Sequence, residues 1–439
     1  MQIAEDRPFY LRKWSDLGDL DWHLLAPVLI LLFFGFLLLK SAGDGSFLSR
    51  QVTIFIFSLL LVTLPFFIRI NFWKEKALFI YLFNLLLLFL VLIKGASSMG
   101  AQRWIDLGFI RLQPSEIAKI AIIISLAAWF SKRPVRNCFD LMIAALIIAP
   151  PFLLIFKQPD LGTALAYLAI FFGMSFWAGA TTTDLLLGIS PVLSLLFNAV
   201  GMPLFNLGNI HFRNRIYELY VTQFFFIFLV FLLFWLIINY KPWKSPLLVL
   251  WIASLVSSNF IVGFLRPVLW GVLHPYQQRR LTIFLNPEND PQGAGYHIIQ
   301  SLLAIGNGGI FGYGWQNGRL TRGNYVPAQH TDFVFSVLGE EFGFIGTVFV
   351  ILVFAYVLWR MIYIARNSNN DFASLIAIGI FSFFSFHIFI NIGMTLGIMP
   401  ITGVPLPFLS YGGTALIVDI FSVFILLSIS WKTLPKKLF

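Results

Sequence analysis

Charged residues are scarce in this chain of 439 residues, where Asp, Glu, Lys and Arg together make up only 11%. A soluble domain usually carries about 25%. Hydrophobic residues make up 59% of the chain, and the mean hydropathy is +0.84. A soluble fold of this length could not bury so much apolar surface. The composition therefore excludes an ordinary soluble protein and predicts that lipid surrounds most of the chain.

Cysteine is almost absent, since Cys138 is the only one. An internal disulfide is therefore impossible, and nothing about redox chemistry follows from this single residue. The formal net charge is +10, which in a soluble protein would suggest a nucleic-acid partner. Here the Lys and Arg residues lie in short loops between apolar runs. That distribution reflects membrane topology and anionic headgroups, so we predict no nucleic-acid binding.

Apolar runs of about 20 residues, the length that a bilayer-spanning helix needs, recur along the chain. They predict an all-α, polytopic membrane bundle of about 12 spans. The run at 23–42 is too long for the apolar region of a signal peptide, and no A-x-A cleavage site follows it, so we predict a retained first span. The predicted spans lie near residues 23–42, 52–70, 76–94, 114–131, 138–156, 161–179, 183–203, 219–240, 245–272, 333–358, 372–396 and 413–431.

Four polar stretches with many glycines and prolines interrupt this pattern, at 95–116, 157–164, 273–332 and 397–415. Lys and Arg are in modest excess on the opposite side, which the positive-inside rule assigns to the cytoplasm. An even number of spans then places both tails, 1–22 and 432–439, in the cytoplasm and all four stretches outside. Because soluble nucleotides stay in the cytoplasm, a substrate carried on a membrane lipid fits this arrangement better than a nucleotide sugar.

The largest polar connection, 273–332, precedes the last three predicted spans and contains NPENDPQGAGYHIIQS. Asp290 precedes a proline, which disfavours helical backbone at this residue. Gly293 and Gly295 allow backbone conformations that are closed to other residues, and the apolar spacing after them predicts a short amphipathic helix against the membrane. A carboxylate in this position suits a general base. The alternative is that Asp290 caps the following helix.

The fourth predicted span begins with QPSEIAKI, in which Pro114 suits the first turn of a helix. Glu116 and Lys119 are three residues apart and share a helix face. Ionisable residues inside a span usually face a cavity or a partner. In the functional interpretation, Lys119 holds an anionic phosphate, and Glu116 modulates the charge that Lys119 presents. In the structural interpretation, the two residues form a mutually neutralising pair.

Other polar residues allow similar alternatives. Arg103 in QRWID could bind pyrophosphate through its guanidinium fork or act as an interfacial Arg–Trp anchor. Lys157 and Asp160 in KQPDLGTA could form a loop salt bridge. The stretch 329–343 carries one histidine and several acids, His330, Asp332, Glu340 and Glu341, without the ligand spacing of a zinc site. A loosely held divalent cation that bridges phosphates remains an alternative there.

Five motifs occur in a fixed order: RWIDLG…QPSEIAK, QPDLGTA, DPQGAGYHIIQS, HTDFVFSVLGEE and GVPLPFLSYGG. Together they resemble the SEDS family of cell-wall proteins (RodA, FtsW and SpoVE), over residues 23–431, and GAGYHIIQS is more like the RodA branch, which serves elongation. The chain departs from the family's usual pattern in two places. About 55 residues near 197–250 appear as an insertion that would raise the family's usual ten spans to twelve. The acid usual before His-Thr-Asp is replaced at Ala328, so no role is assigned there.

This resemblance implies a peptidoglycan glycosyltransferase that polymerises lipid II at the outer face of the bacterial cytoplasmic membrane and releases undecaprenyl pyrophosphate. It also implies a class B penicillin-binding protein and other elongation proteins as partners, and it places the family's essential aspartate at Asp290, as the base of an inverting transfer. Mg²⁺ bridging the pyrophosphate is an alternative that the sequence leaves open. The residues assigned to substrate or pyrophosphate are Arg103, Glu116, Lys119, Asp160, Gly293, Gly295, His330 and Ser410.

Two other classes of function remain open from the residues. A lipid II flippase would also use cavity-facing charges such as Glu116 and Lys119, but it would need polar groups reachable from both faces and no single irreplaceable loop carboxylate. A scaffold that recruits the cross-linking enzyme would tolerate loss of Asp290 and would depend instead on the surface of its spans.

Overall fold

The structure is a computed structural model that describes residues 20–433, except 44, 99–100, 107–110, 137, 183, 186–274, 286 and 291–292. The predicted spans near 219–240 and 245–272, most of the one near 183–203, and the predicted insertion at 197–250 lie outside the described residues. The predicted total of about 12 spans therefore stays a prediction.

Every predicted span in the described part of the chain falls on a helix, which confirms the all-α membrane bundle. Within that part, five helices are long and apolar enough to cross a membrane, and three shorter apolar helices accompany them. In chain order these and the remaining span helices are α1 (Trp22–Ala42), α2 (Ser46–Phe67), α4 (Ala77–Lys94), α5 (Pro114–Phe130), α6 (Cys138–Lys157), α7 (Leu161–Trp177), α11 (Val334–Asn367), α12 (Asp371–Thr395) and α13 (Gly413–Thr433).

Short elements connect the spans. The helix α3 (Ile70–Glu75) lies between α2 and α4. The polar connection before α11 contains α8 (Pro275–Leu285), a 3₁₀ turn (Pro287–Asn289), α9 (Ala294–Asn307) and α10 (Arg319–Arg322). The helix α9 coincides with the amphipathic helix that the sequence predicts after Asp290.

A small antiparallel sheet, which the sequence does not predict, precedes α5. It consists of β1 (Ala96–Ser98), β2 (Ala101–Asp106) and β3 (Arg111–Leu112), with β2 in the centre. Backbone pairing satisfies the polar groups of this Gly-rich stretch just before the chain enters the bundle. The sheet matters for the site because β2 carries Arg103.

The helices begin where local side chains satisfy their first N–H groups. Asp21 accepts from the Leu24 N–H and caps α1, Asp160 accepts from the Thr163 N–H and caps α7, and Asn370 caps α12. Such caps stabilise a helix by about 1 kcal/mol each. Pro114 occupies the first turn of α5, as its sequence predicts.

The helix α12 forms the centre of the bundle and packs against α5, α7 and α11. Its apolar side chains are almost all buried, whereas α4 exposes a row of large apolar residues, including Leu78, Phe79, Leu82 and Phe83. An exposed apolar row of this size is expected where a helix faces lipid. Helices on the periphery therefore contact the bilayer, and α12 brings its few polar groups to the interior.

The helix α11 is kinked at Gly343, which has φ 64° and ψ −162°. A side chain at this φ is strained, and a Cβ there would also lie 2.3 Å from the Gly312 nitrogen. The loop after α9 fits into the kink, because the Phe344 N–H donates to the Gly309 carbonyl at 2.9 Å. The helix continues beyond the predicted end of its span, to Asn367. The kink thus joins the polar connection to the bundle.

Candidate active site

Asp290 lies between the 3₁₀ turn and α9 in non-helical backbone, as its sequence context predicts. One oxygen of its carboxylate, Oδ2, is 2.8 Å from Nη2 and 3.0 Å from Nε of Arg279 on α8. The Asp290 side chain is 18% exposed and that of Arg279 is 63% exposed. A fixed carboxylate that solvent or a substrate can still reach is what general-base chemistry requires.

The N-cap residue of α9 is Gly293, which makes no side-chain capping hydrogen bond. The Asp290 carboxylate lies against this glycine and pairs with Arg279. The two interpretations of Asp290, as a base and as a cap of α9, therefore both stay predictions.

Gly293 and Gly295 also meet a steric requirement that the sequence does not show. Neither has a positive φ, but Gly293 has φ −114° and ψ −127°, outside the α and β regions that other residues favour. The steric requirement arises because a Cβ on Gly293 would lie 2.2 Å from Oδ2 of Asp290. A Cβ on Gly295 would lie 2.1 Å from the Pro287 carbonyl oxygen and 2.6 Å from that of Asp290. Both glycines let α9 begin directly against the aspartate.

A second pair of opposite charges lies next to this one. Arg280 donates from Nη1 to the Ile401 carbonyl at 3.3 Å. A Cβ built on Gly403 would lie 3.5 Å from that Nη1 and 3.5 Å from Oδ2 of Asp332, so the arginine and the acid flank the same glycine. Burial raises the pKa of Asp332 above its ordinary value of 3.8, and the positive charge of Arg280 opposes that rise. The loop before α13 therefore forms a wall beside two charged groups.

Two histidines lie close to this wall. Burial lowers the pKa of His297, and the nearby charge of Arg280 lowers it further. Burial also lowers the pKa of His330, whose ring stacks on Phe47 with centroids 4.1 Å apart. The backbone carbonyl of His330 accepts from the Tyr411 N–H at 2.8 Å. His330, predicted to contact substrate, therefore packs the loop before α13 against the start of α11.

Ser410 also connects the loop before α13 to the segment before α11. Its hydroxyl donates to the Thr331 carbonyl at 2.6 Å and accepts from the Leu406 N–H at 2.8 Å. These two backbone contacts explain the residue without a substrate. The role that the sequence suggests for Ser410 in binding stays a prediction.

Arg103 holds the turn between α6 and α7. Its guanidinium donates to the carbonyls of Gln158, at 3.2 Å, and Pro159, and its Nη1 lies 3.9 Å from Oδ1 of Asp160. Asp160 also accepts from the Gln113 side chain at 3.2 Å. The sequence pairs Asp160 with Lys157, whereas the structure pairs it with Arg103. Part of the Arg103 side chain, 20%, remains exposed.

Glu116 and Lys119 form a buried pair. The Lys119 ammonium donates to Oε2 of Glu116 at 2.7 Å. It also lies 3.1 Å from Nε2 of His387 and 4.9 Å from the centre of the Phe383 ring. The Lys119 side chain is completely buried. The structure therefore favours the interpretation of a neutralising pair and leaves this ammonium enclosed by protein groups, with Asp419 of α13 close enough to interact electrostatically.

Glu340 also has a structural explanation. It is completely buried and accepts from the Leu320 N–H at 2.7 Å and from the N–H and hydroxyl of Thr321. These donors belong to the first turn of α10, so Glu340 anchors that helix to α11. In the part of the chain that the structure describes, no three His, Cys, Asp or Glu side chains converge as a metal site.

Several residues of the site were not assigned from the sequence. Arg279 and Arg280 carried a weak signal, as a basic pair inside a predicted outer loop. His387 and Asp419 were recognisable as ionisable residues inside predicted spans, which is a general signal of function or pairing. Asp332 was recognised only as one of several acids before α11.

The fold and the site define a polytopic membrane protein with a charge-lined site at one end of a helical bundle. A family model described as "Cell cycle protein", for FtsW, RodA and SpoVE, matches residues 22–205 and 221–434. The chain belongs to this family, which confirms the resemblance, and it is an integral membrane protein. The internal gap in this match, residues 206–220, falls within the predicted insertion.

Curated relatives extend over nearly the whole chain. The peptidoglycan glycosyltransferase RodA of Treponema pallidum (strain Nichols) is 34% identical and covers 95% of this chain and 99% of its own. The peptidoglycan glycosyltransferase MrdB of Escherichia coli (strain K12) is 33% identical, with 94% of each chain covered.

Solved structures share the fold. A chain from a peptidoglycan synthase complex, described as coordinating polymerization and crosslinking, has a TM-score of 0.67 and 29% identity over 94% of this chain and 97% of that one. The rod shape determining protein RodA of Thermus thermophilus has a TM-score of 0.60 and 25% identity, over 94% and 96% of the two chains.

Proposed function

We propose that this protein is a peptidoglycan glycosyltransferase that polymerises lipid II during cell-wall elongation, with Asp290 as its general base. The observation that carries the proposal is the partly exposed carboxylate of Asp290, which Arg279 holds at 2.8 Å and Gly293 approaches closely. The names of the curated relatives support the activity. Opposite charges on Arg280 and Asp332 lie beside the same loop wall.

The reaction joins two lipid-linked sugars. The 4-hydroxyl oxygen of the acceptor GlcNAc attacks C1 of the donor MurNAc, and the bond from C1 to the pyrophosphate oxygen breaks with inversion. Asp290 takes the proton of the attacking hydroxyl, and undecaprenyl pyrophosphate leaves with the bonding electrons. A positioned base typically contributes about 10²–10⁴ in rate.

The leaving pyrophosphate needs positive charge near it. Arg280 beside the loop wall and the exposed part of Arg103 are the groups that we assign to this task. Lys119 is enclosed by Glu116, His387 and Phe383, so we assign it no direct contact with phosphate. A bound divalent cation would supply further positive charge for the leaving group, but among the described residues no cluster of metal-ligating side chains would hold one.

We place the protein in the bacterial cytoplasmic membrane, with both termini in the cytoplasm and Asp290 on the outer face. The distribution of Lys and Arg between the loops supports this orientation. We also propose a class B penicillin-binding protein as partner, together with other proteins of the elongation machinery. The similarity to a chain of a peptidoglycan synthase complex supports such a partnership.

The test is polymerisation of labelled lipid II by the purified protein in detergent, with and without its cognate penicillin-binding protein. We expect glycan ladders from the wild type and a loss of about 10²–10⁴ in rate from Asp290→Asn, which keeps the size of the side chain. A wild-type rate from Asp290→Asn would disprove the base assignment. If neither protein forms polymer even with the partner, the activity is wrong, and lipid II flipping in vesicles becomes the next assay.

A further inference from the structure

A line of buried polar groups runs from α5 through α12 to the loop before α13. The Lys119 ammonium donates to Glu116 at 2.7 Å and lies 3.1 Å from Nε2 of His387. On the other side of the imidazole, Nδ1 lies 3.2 Å from the Pro405 carbonyl oxygen. A carbonyl only accepts hydrogen bonds and an ammonium only donates them. The proton of His387 is therefore on Nδ1, and Nε2 accepts from Lys119.

A second residue on the same face of α12 contacts the same loop. Asn391 follows His387 by four residues, which places both side chains on one side of the helix. Its amide nitrogen donates to the Val404 carbonyl at 2.8 Å and to the Asp332 carbonyl at 2.9 Å. Two consecutive backbone carbonyls of the loop, at Val404 and Pro405, are thus held by α12.

The loop that these residues hold is the wall of the proposed site. Arg280 donates to the Ile401 carbonyl of this loop, and Gly403 lies between Arg280 and Asp332. Arg280 directly follows Arg279, which fixes Asp290. A displacement of residues 401–405 would therefore be transmitted to the charged groups around the proposed base.

We propose that His387 is a positioning residue for this site. The Glu116–Lys119 pair fixes the orientation and the tautomer of its imidazole, and Nδ1 then holds the Pro405 carbonyl and with it the loop wall. In this arrangement Lys119 acts through His387 and not on the substrate. The inference rests on the proposed function for its consequence in catalysis, whereas the holding of the loop is independent of it.

The structure also explains why these groups would act as a unit. The Lys119 ammonium and His387 are both buried, and an unpaired polar group in such an interior is costly. Lys119 has a carboxylate, an imidazole nitrogen and an aromatic face around it. Each member therefore restricts the geometry of the next, so that the position of a charge on α5 determines the position of a backbone carbonyl next to the site.

Two substitutions of His387 each keep one of the two contacts that the imidazole makes. His387→Asn places an amide N–H near the position of Nδ1, so it can still donate to Pro405 but cannot reach Lys119. His387→Gln places its amide near the position of Nε2, so it can still accept from Lys119 but not hold Pro405. Ser382→Ala is the matched control, because this buried hydroxyl on α12 bonds only to its own helix, at the Ile378 carbonyl.

The first readout is hydrogen exchange of the peptide that covers residues 401–406, measured by mass spectrometry on the full chain in detergent. We expect His387→Gln to exchange about 10-fold faster than the wild type, the effect of losing one hydrogen bond. His387→Asn, which keeps the donor to Pro405 but loses the contact with Lys119, should exchange faster than the wild type and more slowly than His387→Gln, whereas Ser382→Ala should stay close to the wild type. Equal exchange in His387→Gln and Ser382→Ala would overturn the proposal.

The role of the charged pair is tested by replacing both members, with Lys119→Met and Glu116→Leu together, which avoids leaving one buried charge alone. If the pair acts through His387, exchange of residues 401–406 rises and kcat falls. If Lys119 contacts phosphate directly, exchange stays unchanged while KM for lipid II rises, which would overturn the proposal. Absence of wild-type polymerisation would disprove the proposed function, yet the exchange measurement would still decide the positioning role.

Discussion

The guanidinium of Arg279 directs two of its nitrogens to a single oxygen of Asp290, with Nη2 at 2.8 Å and Nε at 3.0 Å from Oδ2. The arginine comes from α8 and the aspartate from the turn that follows it, eleven residues later. Because the arginine is mostly exposed, the pair contributes little to stability. Its effect is to restrict where the carboxylate can point.

Replacing the arginine should therefore lower activity more than stability. We expect Arg279→Gln to reduce polymerisation by about 10²-fold, because a base displaced by about 1 Å from its productive position can cost that much. The melting temperature should hardly change. Arg322→Gln is the control, since Arg322 is an exposed arginine of the same polar connection. Equal rates for the two variants would contradict this role of Arg279.

Gly293 offers a second test of the position of the Asp290 carboxylate, because this glycine contacts the carboxylate directly. In Gly293→Ala the new Cβ would lie 2.2 Å from Oδ2 of Asp290, so the carboxylate must move. We expect a loss of about 10²-fold in polymerisation, measured by glycan ladder formation.

The control for this substitution lies on the same helix. A Cβ on Gly306 of α9 would meet no atom within 4 Å, so Gly306→Ala should preserve activity. It should also stabilise the protein by about 0.4–1 kcal/mol, because alanine lowers the entropy of the unfolded chain. A comparable loss of activity from both variants would show that the close approach to Asp290 is not the cause.

Asp21 forms a buried clasp between three helices. Its carboxylate accepts from Nε of Arg360 at 2.9 and 3.0 Å and from the Ser430 hydroxyl at 3.0 Å. Removal of one partner of a buried ion pair is costly, so Asp21→Ala should lower the free energy of unfolding by about 3–5 kcal/mol. Ser430→Ala should cost about 1.5–3 kcal/mol, as one hydrogen bond to a charged group.

Thermal and denaturant unfolding in detergent would measure both effects. Activity at low temperature should survive in either variant, because Arg360 and Ser430 lie in the C-terminal parts of α11 and α13, whereas the candidate site lies beside the loops that precede these helices. Equal stability of Asp21→Ala and the wild type would mean that the clasp does not hold these helices together.

His297 and His330 should each make the folded protein less stable in mild acid. Burial lowers the pKa values of His297 and His330 below the ordinary value of 6.5. Between the folded pKa and 6.5, the unfolded chain binds more protons than the folded one, so stability falls as the pH falls through that window. His330→Phe keeps the ring stack on Phe47 and removes one titrating group. Its melting temperature should therefore decline less steeply below pH 6.5; an unchanged slope would contradict the prediction.

Much of the architecture is readable from the sequence because the bilayer imposes a simple length rule. Each described span requires about 20 apolar residues, and α1, α6, α12 and α13 begin and end within a few residues of the predicted limits. Local chemistry was equally informative for the proline at the start of α5 and for the non-helical backbone at Asp290.

Local patterns were insufficient where the role of a residue depends on a distant partner. The sequence predicted a need for backbone freedom at Gly293, but it could not predict that the Asp290 carboxylate lies directly against this glycine. For Lys119 the local sequence left phosphate binding and a neutralising pair open, and only the structure shows that its ammonium meets Glu116 and a histidine 268 residues away. Nothing in either local sequence specifies which face of α5 meets which face of α12.

The sequence by itself thus determined that the protein is embedded in a membrane. It also determined the positions of the described spans along the chain and the loop that holds the candidate base. The tertiary structure alone decided that Arg279 holds Asp290, that Arg280 and Asp332 flank Gly403, and that His387 links Lys119 to Pro405. The physical reason is that hydrophobic length and local backbone preferences are properties of neighbouring residues. The pairing of buried charges depends on how helices far apart in the chain rotate and pack against each other.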